Sequence, residues 1–276
     1  MSGIEPNLIQ LEAVLDRQVP IYSLDALLLA VDRKTKITPN LETTAIGIDS
    51  SVFLKLATHK RSADIVDYLD TKHVAPLILP GQAVQEFWNN QLAAVDTVAA
   101  GIKKKFESLK QEVNKADLNF GDFAASMESS LDRFSSEYGY VYDPATIHAT
   151  TVLLELLKKK AFLSYVPRMH FHDIALNRKR TRTPPGFKDD GDGDFFIWVE
   201  FLYGLLREKD SGKTFDHAIF LTHDQKIDWS RAGVAHPILA AEVQALLGMP
   251  FDVWTIEDFY QAIAENSSED LQTGKV

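Results

Sequence analysis

Short apolar runs bounded by turn residues alternate along this chain with longer stretches whose apolar positions recur every three or four residues. Leu24, Leu27, Leu28 and Val31 fall at helical spacing and predict a short amphipathic helix within residues 1–44. Ala45-Ile-Gly-Ile-Asp49 then reads as a buried strand, and Ser50-Ser51 opens a helix carrying Val52, Phe53, Leu54 and Leu56. A helix over about 61–69 leads to Val74-Ala-Pro-Leu-Ile-Leu79, a second strand broken by Pro80-Gly81. His217-Ala-Ile-Phe-Leu221 and Phe251-Asp-Val-Trp254 read as further strands. Helices are expected at 195–206, 239–247 and 256–264. Strands alternating with helices predict an α/β fold with a parallel sheet.

Between the second and third strands lies the most regular pattern in the sequence. From Trp88 the apolar positions run Leu92, Val95, Ala99, Ile102, Phe106, Leu109 and Val113, alternating steps of four and three. A second helix carries Phe120, Phe123, Met127, Leu131, Phe134 and Tyr138, and a third runs from Pro144 to about Phe162. These predict an antiparallel helical arm over about 90–165, inserted into a domain spanning 45–265. Pairing of two chains through the same stripe, giving a homodimer, is the competing account. Residues 1–44 form a helical extension before this domain, and the polar stretch 266–276 is expected to be a flexible tail.

In a parallel sheet the binding crevice lies beyond the carboxyl ends of the strands. Asp49 ends the first strand and Asp224 the third, while Asp194 begins the helix that precedes the third. Glu86 lies early in the helix after the second strand, with Gln82 four residues back and Asn90 four residues on, so a polar stripe interrupts an apolar helix. Four acids at one edge raise one another's pKa unless a cation sits among them. Oxygen-only donors favour Mg²⁺ or Mn²⁺, and such a centre suits phosphodiester hydrolysis. Each acid also has a plainer role. Asp49 and Asp194 stand where helix N-caps belong, and Asp224 where an Asx-turn would form. Glu86, flanked by Val84 and Phe87-Trp88, is the hardest to explain as structural.

Composition narrows the alternatives. Across 276 residues there is no cysteine, which excludes disulfides and thiol chemistry, and no apolar run long enough to span a membrane; a cytoplasmic protein is the expectation. The net charge of −10 argues against a nucleic-acid partner only on average, because Lys158 to Lys188 holds nine Lys or Arg and a single acid, Asp173. Asp190-Gly-Asp-Gly-Asp194 begins like a calcium loop but places Phe195 where that loop needs glycine. His170 and His172 have no matching ligand nearby in sequence, so a zinc site is not expected there.

Taken in order, Ile-Gly-Ile-Asp49-Ser-Ser-Val-Phe-Leu, Leu79-Pro-Gly-Gln-Ala-Val-Gln-Glu86-Phe-Trp-Asn-Asn90, Arg182-Thr-Pro-Pro-Gly-Phe-Lys-Asp189, Gly193-Asp194-Phe-Phe-Ile-Trp198 and Leu221-Thr-His-Asp224-Gln-Lys-Ile-Asp228-Trp229 resemble the long bacterial PIN-like proteins, relatives of toxin ribonucleases. The ending Pro237-Ile-Leu-Ala-Ala-Glu242 with Phe251-Asp-Val-Trp254 fits too. The resemblance implies a three-layer parallel sheet flanked by helices, and a Mg²⁺ or Mn²⁺ site at Asp49, Glu86, Asp194 and Asp224, with Asp228 a fifth ligand and Asp189 an accessory. It implies that Arg178, Arg180, Arg182 and Lys188 hold nucleic acid, with Asn90 lining the cleft. The acidic Asp190-Gly-Asp-Gly193 insert departs from the family, and residues 1–44 fall outside the match.

The expected function is a metal-dependent nuclease, in the first place an endoribonuclease acting on RNA rather than DNA. The alternative is a PIN fold that binds nucleic acid or protein without turnover. Toxin, phage-defence effector and RNA-processing enzyme are all compatible with the residues.

Overall fold

The computed structural model describes residues 5–32, 39–95, 144–223 and 226–273, with single positions between 105 and 133. The chain forms two compact units, Met1–Phe87 with Thr150–Val276, and Trp88–Ala149. The second unit holds most of the expected helical arm, whose heptad stripe lies largely outside the described residues. Its limits are narrower than the expected 90–165, because the segment after 150 packs into the sheet unit. Residues 1–44 likewise fall within the sheet unit and are no separate appendage.

Five parallel strands form the sheet: β1 (Thr44–Ile48), β2 (Leu77–Pro80), β3 (Ala161–Ser164), β4 (His217–Leu221) and β7 (Phe251–Trp254), in the order β3-β2-β1-β4-β7. A two-residue antiparallel pair, β5 (Ser230–Arg231) and β6 (Val234–Ala235), stands apart. Strands buried on both faces need no alternation of polarity, and β1 is buried at all five positions. Alternate side chains then enter opposite layers. Ile46, Ile48, Leu77, Leu79, Ile219 and Leu221 join one core with helices α3 (Ser50–Thr58), α6 (Pro144–Lys160) and α10 (Ile256–Thr273). Ala45, Ile78, Ala218 and Phe220 join the other, with α1 (Pro6–Leu15), α7 (Arg168–Arg180), α8 (Gly193–Asp210) and α9 (Pro237–Leu247). The remaining described helices are α2 (Ser23–Asp32), α4 (Ser62–Asp67), which continues into a π-turn at Tyr68–Lys72, and α5 (Gly81–Val95).

Helix α8 is buried around almost its whole circumference, as a helix apolar on all sides must be. It can lie so close to the sheet because residue 47 of β1 is glycine: a Cβ there would run into the rings of Phe201 and Phe220. The layer beyond it is tied by Glu242 of α9. This carboxylate has no exposed surface. It accepts both guanidinium nitrogens of Arg178 (2.7 and 3.2 Å), Arg17 Nη2 (2.6 Å) and the Trp198 indole N–H (2.7 Å).

Several expectations need correction. Strand β3 (Ala161–Ser164) begins directly after α6 without a turn residue, within the stretch expected to be helical to about Phe162. Helix α7 occupies a stretch that shows only as basic in the sequence. Its inner face, Phe171, Ile174, Ala175 and Arg178, has helical spacing but ends on an arginine. Leu24, Leu27, Leu28 and Val31 do lie on a helix, yet they are between 46% and 71% exposed, and α2 stands over a cavity of about 460 Å³ lined by Ala26, Ala30, Ala240 and Ala241. Helix α10 runs to Thr273, through most of the expected tail. Among the described residues no helix is long and apolar enough to cross a membrane.

Removing one partner of a buried charge network leaves the others uncompensated, at about 3–5 kcal/mol. Glu242→Ala should therefore lower unfolding stability on that scale in a denaturant titration. A loss below about 1 kcal/mol would show that the arginines find other partners.

Candidate active site

The carboxyl ends of β1 and β4 meet where Asp49 begins. Its backbone N–H continues the ladder by donating to Leu221 O (3.0 Å), and its side chain caps α3 by accepting the Ser50 amide (2.7 Å). Two hydroxyls also donate to Oδ2, Ser51 at 2.6 Å and Thr222 at 2.8 Å. Ser51 Oγ in turn accepts the His223 amide at 2.9 Å. The capping role anticipated as an alternative is therefore real, and it orients the carboxylate at the sheet edge instead of displacing it from the site. Ser51 and Thr222 were not singled out in the sequence, although both adjoin acids in the Asp-Ser-Ser and Leu-Thr-His-Asp segments.

Glu86 reaches the same edge from α5. The helix is anchored by Glu200 of α8, a fully buried carboxylate that accepts the Gln82 amide at 2.6 Å. Gln82 then donates through Nε2 to Glu86 Oε1 at 2.9 Å, the polar stripe read from the sequence. Burial raises the Glu86 carboxyl above its ordinary value; Gln82 and Lys226 oppose this, while Asp49 and Asp189 add to it. Gly193, at the first turn of α8, lies against this carboxylate so closely that a Cβ would overlap Oε1.

Asp194 sits one residue further into the first turn of α8, not at its N-cap, which is Asp192. Its Oδ2 accepts the Trp229 indole N–H at 3.2 Å and faces Lys226 Nζ at 3.4 Å. Burial, followed by a hydrogen bond to Asp189 and that residue's charge, pushes Asp194 up to about 7, and Lys226 and Trp229 only partly offset this. For Asp189 burial acts upward too, but the Lys226 ammonium at 2.7 Å and the hydrogen bond to Asp194 outweigh it and hold it low. The two acids are hydrogen-bonded to each other, the arrangement of crowded carboxylates.

Two of the anticipated site residues stand elsewhere. Asp228 has no exposed surface; its Oδ2 accepts the Gly186 amide at 3.0 Å, holding the Pro184-Pro185-Gly186 turn, while its Oδ1 is buried without a hydrogen-bond partner. Arg178 is 3% exposed; besides Glu242 it donates to Pro184 O, and no phosphate can reach it. A contiguous Arg-x-Arg-x-Arg run conceals this, because α7 ends within it and turns the first arginine inward. Arg180, Arg182 and Lys188 are exposed. Asp224 and the side chain of Asn90 lie outside the described residues.

The model of the PIN-like domain matches residues 45–239, and the chain belongs to that family. PIN-like domains are generally metal-dependent nucleases, typically using divalent ions. No curated protein and no solved structure matches the chain. Among the described residues no three acids or histidines already close around one point. The donor set is nevertheless all oxygen, as Mg²⁺ and Mn²⁺ favour, and Asp194 is a buried carboxyl with Asp189 against it, where a cation would offset both the burial and the neighbouring charge.

Gly193→Ala should displace the Glu86 carboxylate and weaken Mn²⁺ binding about tenfold, roughly 1.4 kcal/mol. Isothermal titration calorimetry with a parallel melting curve checks this. Unchanged affinity in a folded variant would remove Glu86 from the metal-binding set.

Proposed function

We propose that this chain is a divalent-metal-dependent nuclease, and in the first place an endoribonuclease. The observation that carries the reading is the gathering of Asp49, Glu86, Asp189 and Asp194 at the carboxyl edge of the sheet, where Glu86 feels both Asp49 and Asp189 and Asp194 is hydrogen-bonded to Asp189. Asp49, Glu86, Asp194 and Asp224 would hold Mg²⁺ or Mn²⁺, which when bound makes water a better nucleophile and offsets charge on the phosphoryl oxygens. Asp49 is oriented by hydrogen bonds from Ser50, Ser51 and Thr222. Asp189, next to Lys226, holds Asp194 in place. Arg180, Arg182 and Lys188, flanking the Pro-Pro-Gly turn, supply positive charge for the phosphates of the strand.

One observation favours the second reading, a PIN fold that binds without turnover. The Lys226 ammonium already neutralises part of the cluster, so the acids are not left to repel one another.

Cleavage of end-labelled RNA and DNA of equal sequence, with Mn²⁺ or EDTA, separates the two. The wild type should cut RNA only with metal, and Asp194→Asn should lower the rate by at least about 100-fold, roughly 2.7 kcal/mol of barrier. Binding without cutting of single-stranded and structured substrates alike would make the second reading the correct one. In the same assay format, Arg180→Ala with Arg182→Ala should reduce the slope of log affinity against log salt by about 1.4, at ~0.7 per single-strand phosphate contact. An unchanged slope would take both arginines out of the groove.

A further inference from the structure

Lys226 touches more of the acid cluster than any expectation from the sequence gave it. Its Nζ lies 2.7 Å from Asp189 Oδ2 and 3.4 Å from Asp194 Oδ2, and its charge also bears on Glu86. It stands two residues after Asp224 and three before Trp229, whose indole donates to the same Asp194 oxygen. A divalent ion shared between these carboxylates would compete with this ammonium for the same oxygens.

The oxygens themselves are unevenly available. Asp194 Oδ2 is committed to protein donors, Glu86 Oε1 accepts from Gln82, and both oxygens of Asp49 accept hydrogen bonds. A centre with two ions about 3.5–4 Å apart depends on carboxylates that can bridge with both oxygens. Glu86 has an oxygen engaged by Gln82, Asp194 is engaged by Trp229 and Asp189, and the Lys226 ammonium lies within 3.4 Å of both Asp189 and Asp194.

We propose that the cluster is a one-ion centre in which Lys226 supplies the second positive charge, its ammonium holding Asp189 and Asp194 where a two-ion site would place another divalent cation. This rests on the metal-dependent reading above and adds the ion count to it. A lysine in this position keeps the acids assembled before the ion arrives. It also makes the site selective, because only one divalent ion can be accommodated while the ammonium stays in place.

The test is Mn²⁺ titration into the full chain, read by electron paramagnetic resonance and by melting temperature, for the wild type, Lys226→Met and Lys226→Arg. The wild type and Lys226→Arg should bind one ion. Lys226→Met should bind a second ion at least about tenfold more tightly than the wild type does, about 1.4 kcal/mol. Its melting temperature should fall in EDTA and rise more steeply with Mn²⁺ than that of the wild type. Two ions of similar affinity in the wild type would overturn the proposal and leave the metal-dependent reading standing. So would a Lys226→Met chain that still binds one ion with the same Mn²⁺-dependent stabilisation. The wild-type count is decisive even if the methionine variant proves unstable. No Mn²⁺ binding by any of the three would defeat the metal-dependent reading itself.

Discussion

Negative charges gathered at the edge of a sheet repel one another, and the molecule is organised around holding them there. Burial raises the carboxyls of Asp194 and Glu86, and the neighbouring charges of Asp189 and Asp49 add to it. Hydrogen-bond donors around the cluster oppose this. Hydroxyls and an amide secure Asp49, an amide side chain secures Glu86, and an ammonium with an indole N–H secures Asp194. The donors come from the start of α3, from α5 and from the segment after β4, so the cluster exists only when β1, β4, α5 and α8 are all in place.

That dependence explains why the scaffold is strict behind the site. Helix α8 delivers Asp194 and also, through Glu200, fixes the first turn of α5 that delivers Glu86. Its depth against the sheet is set by Gly47, and its outer face is locked by Trp198 to Glu242. A buried carboxylate between two arginines stabilises little beyond an apolar replacement, but it tolerates few alternative arrangements. In this chain the same network bears on the Pro-Pro-Gly turn, since Arg178 holds both Glu242 and Pro184, and Asp228 holds Gly186. The turn is thereby set at a fixed height beside the exposed Arg182 and Lys188. Lys179 adds to this from α7 by donating to the carbonyls of Asp190 and Gly191, so the acidic insert that departs from the family pattern is fastened down by a cation of its own.

The alternation of short apolar runs with helical periods determined the α/β class and four of the five strands, because a strand buried on both faces must be continuously apolar. The order of motifs was enough to indicate the PIN-like family, and the polar interruption at Gln82 and Glu86 in an apolar helix marked a side chain with a task. What the pattern could not carry was decided by tertiary packing. Strand β3 is an edge strand, paired among the described residues with β2, and it follows α6 directly with no turn residue to end the helical pattern. Arg178 and Arg182 are equivalent as letters, four residues apart. The end of α7 turns one into the core and leaves the other in water, because only Arg178 lies on the face that meets Glu242. Asp228 follows the same logic, an acid four residues after Asp224 that is spent on a backbone amide beneath a turn. Lys226 gains its importance solely from carboxylates more than thirty residues away in sequence. Local pattern determines which residues form elements and which face is apolar; which charge meets which is decided by distances that exist only once the layers have packed.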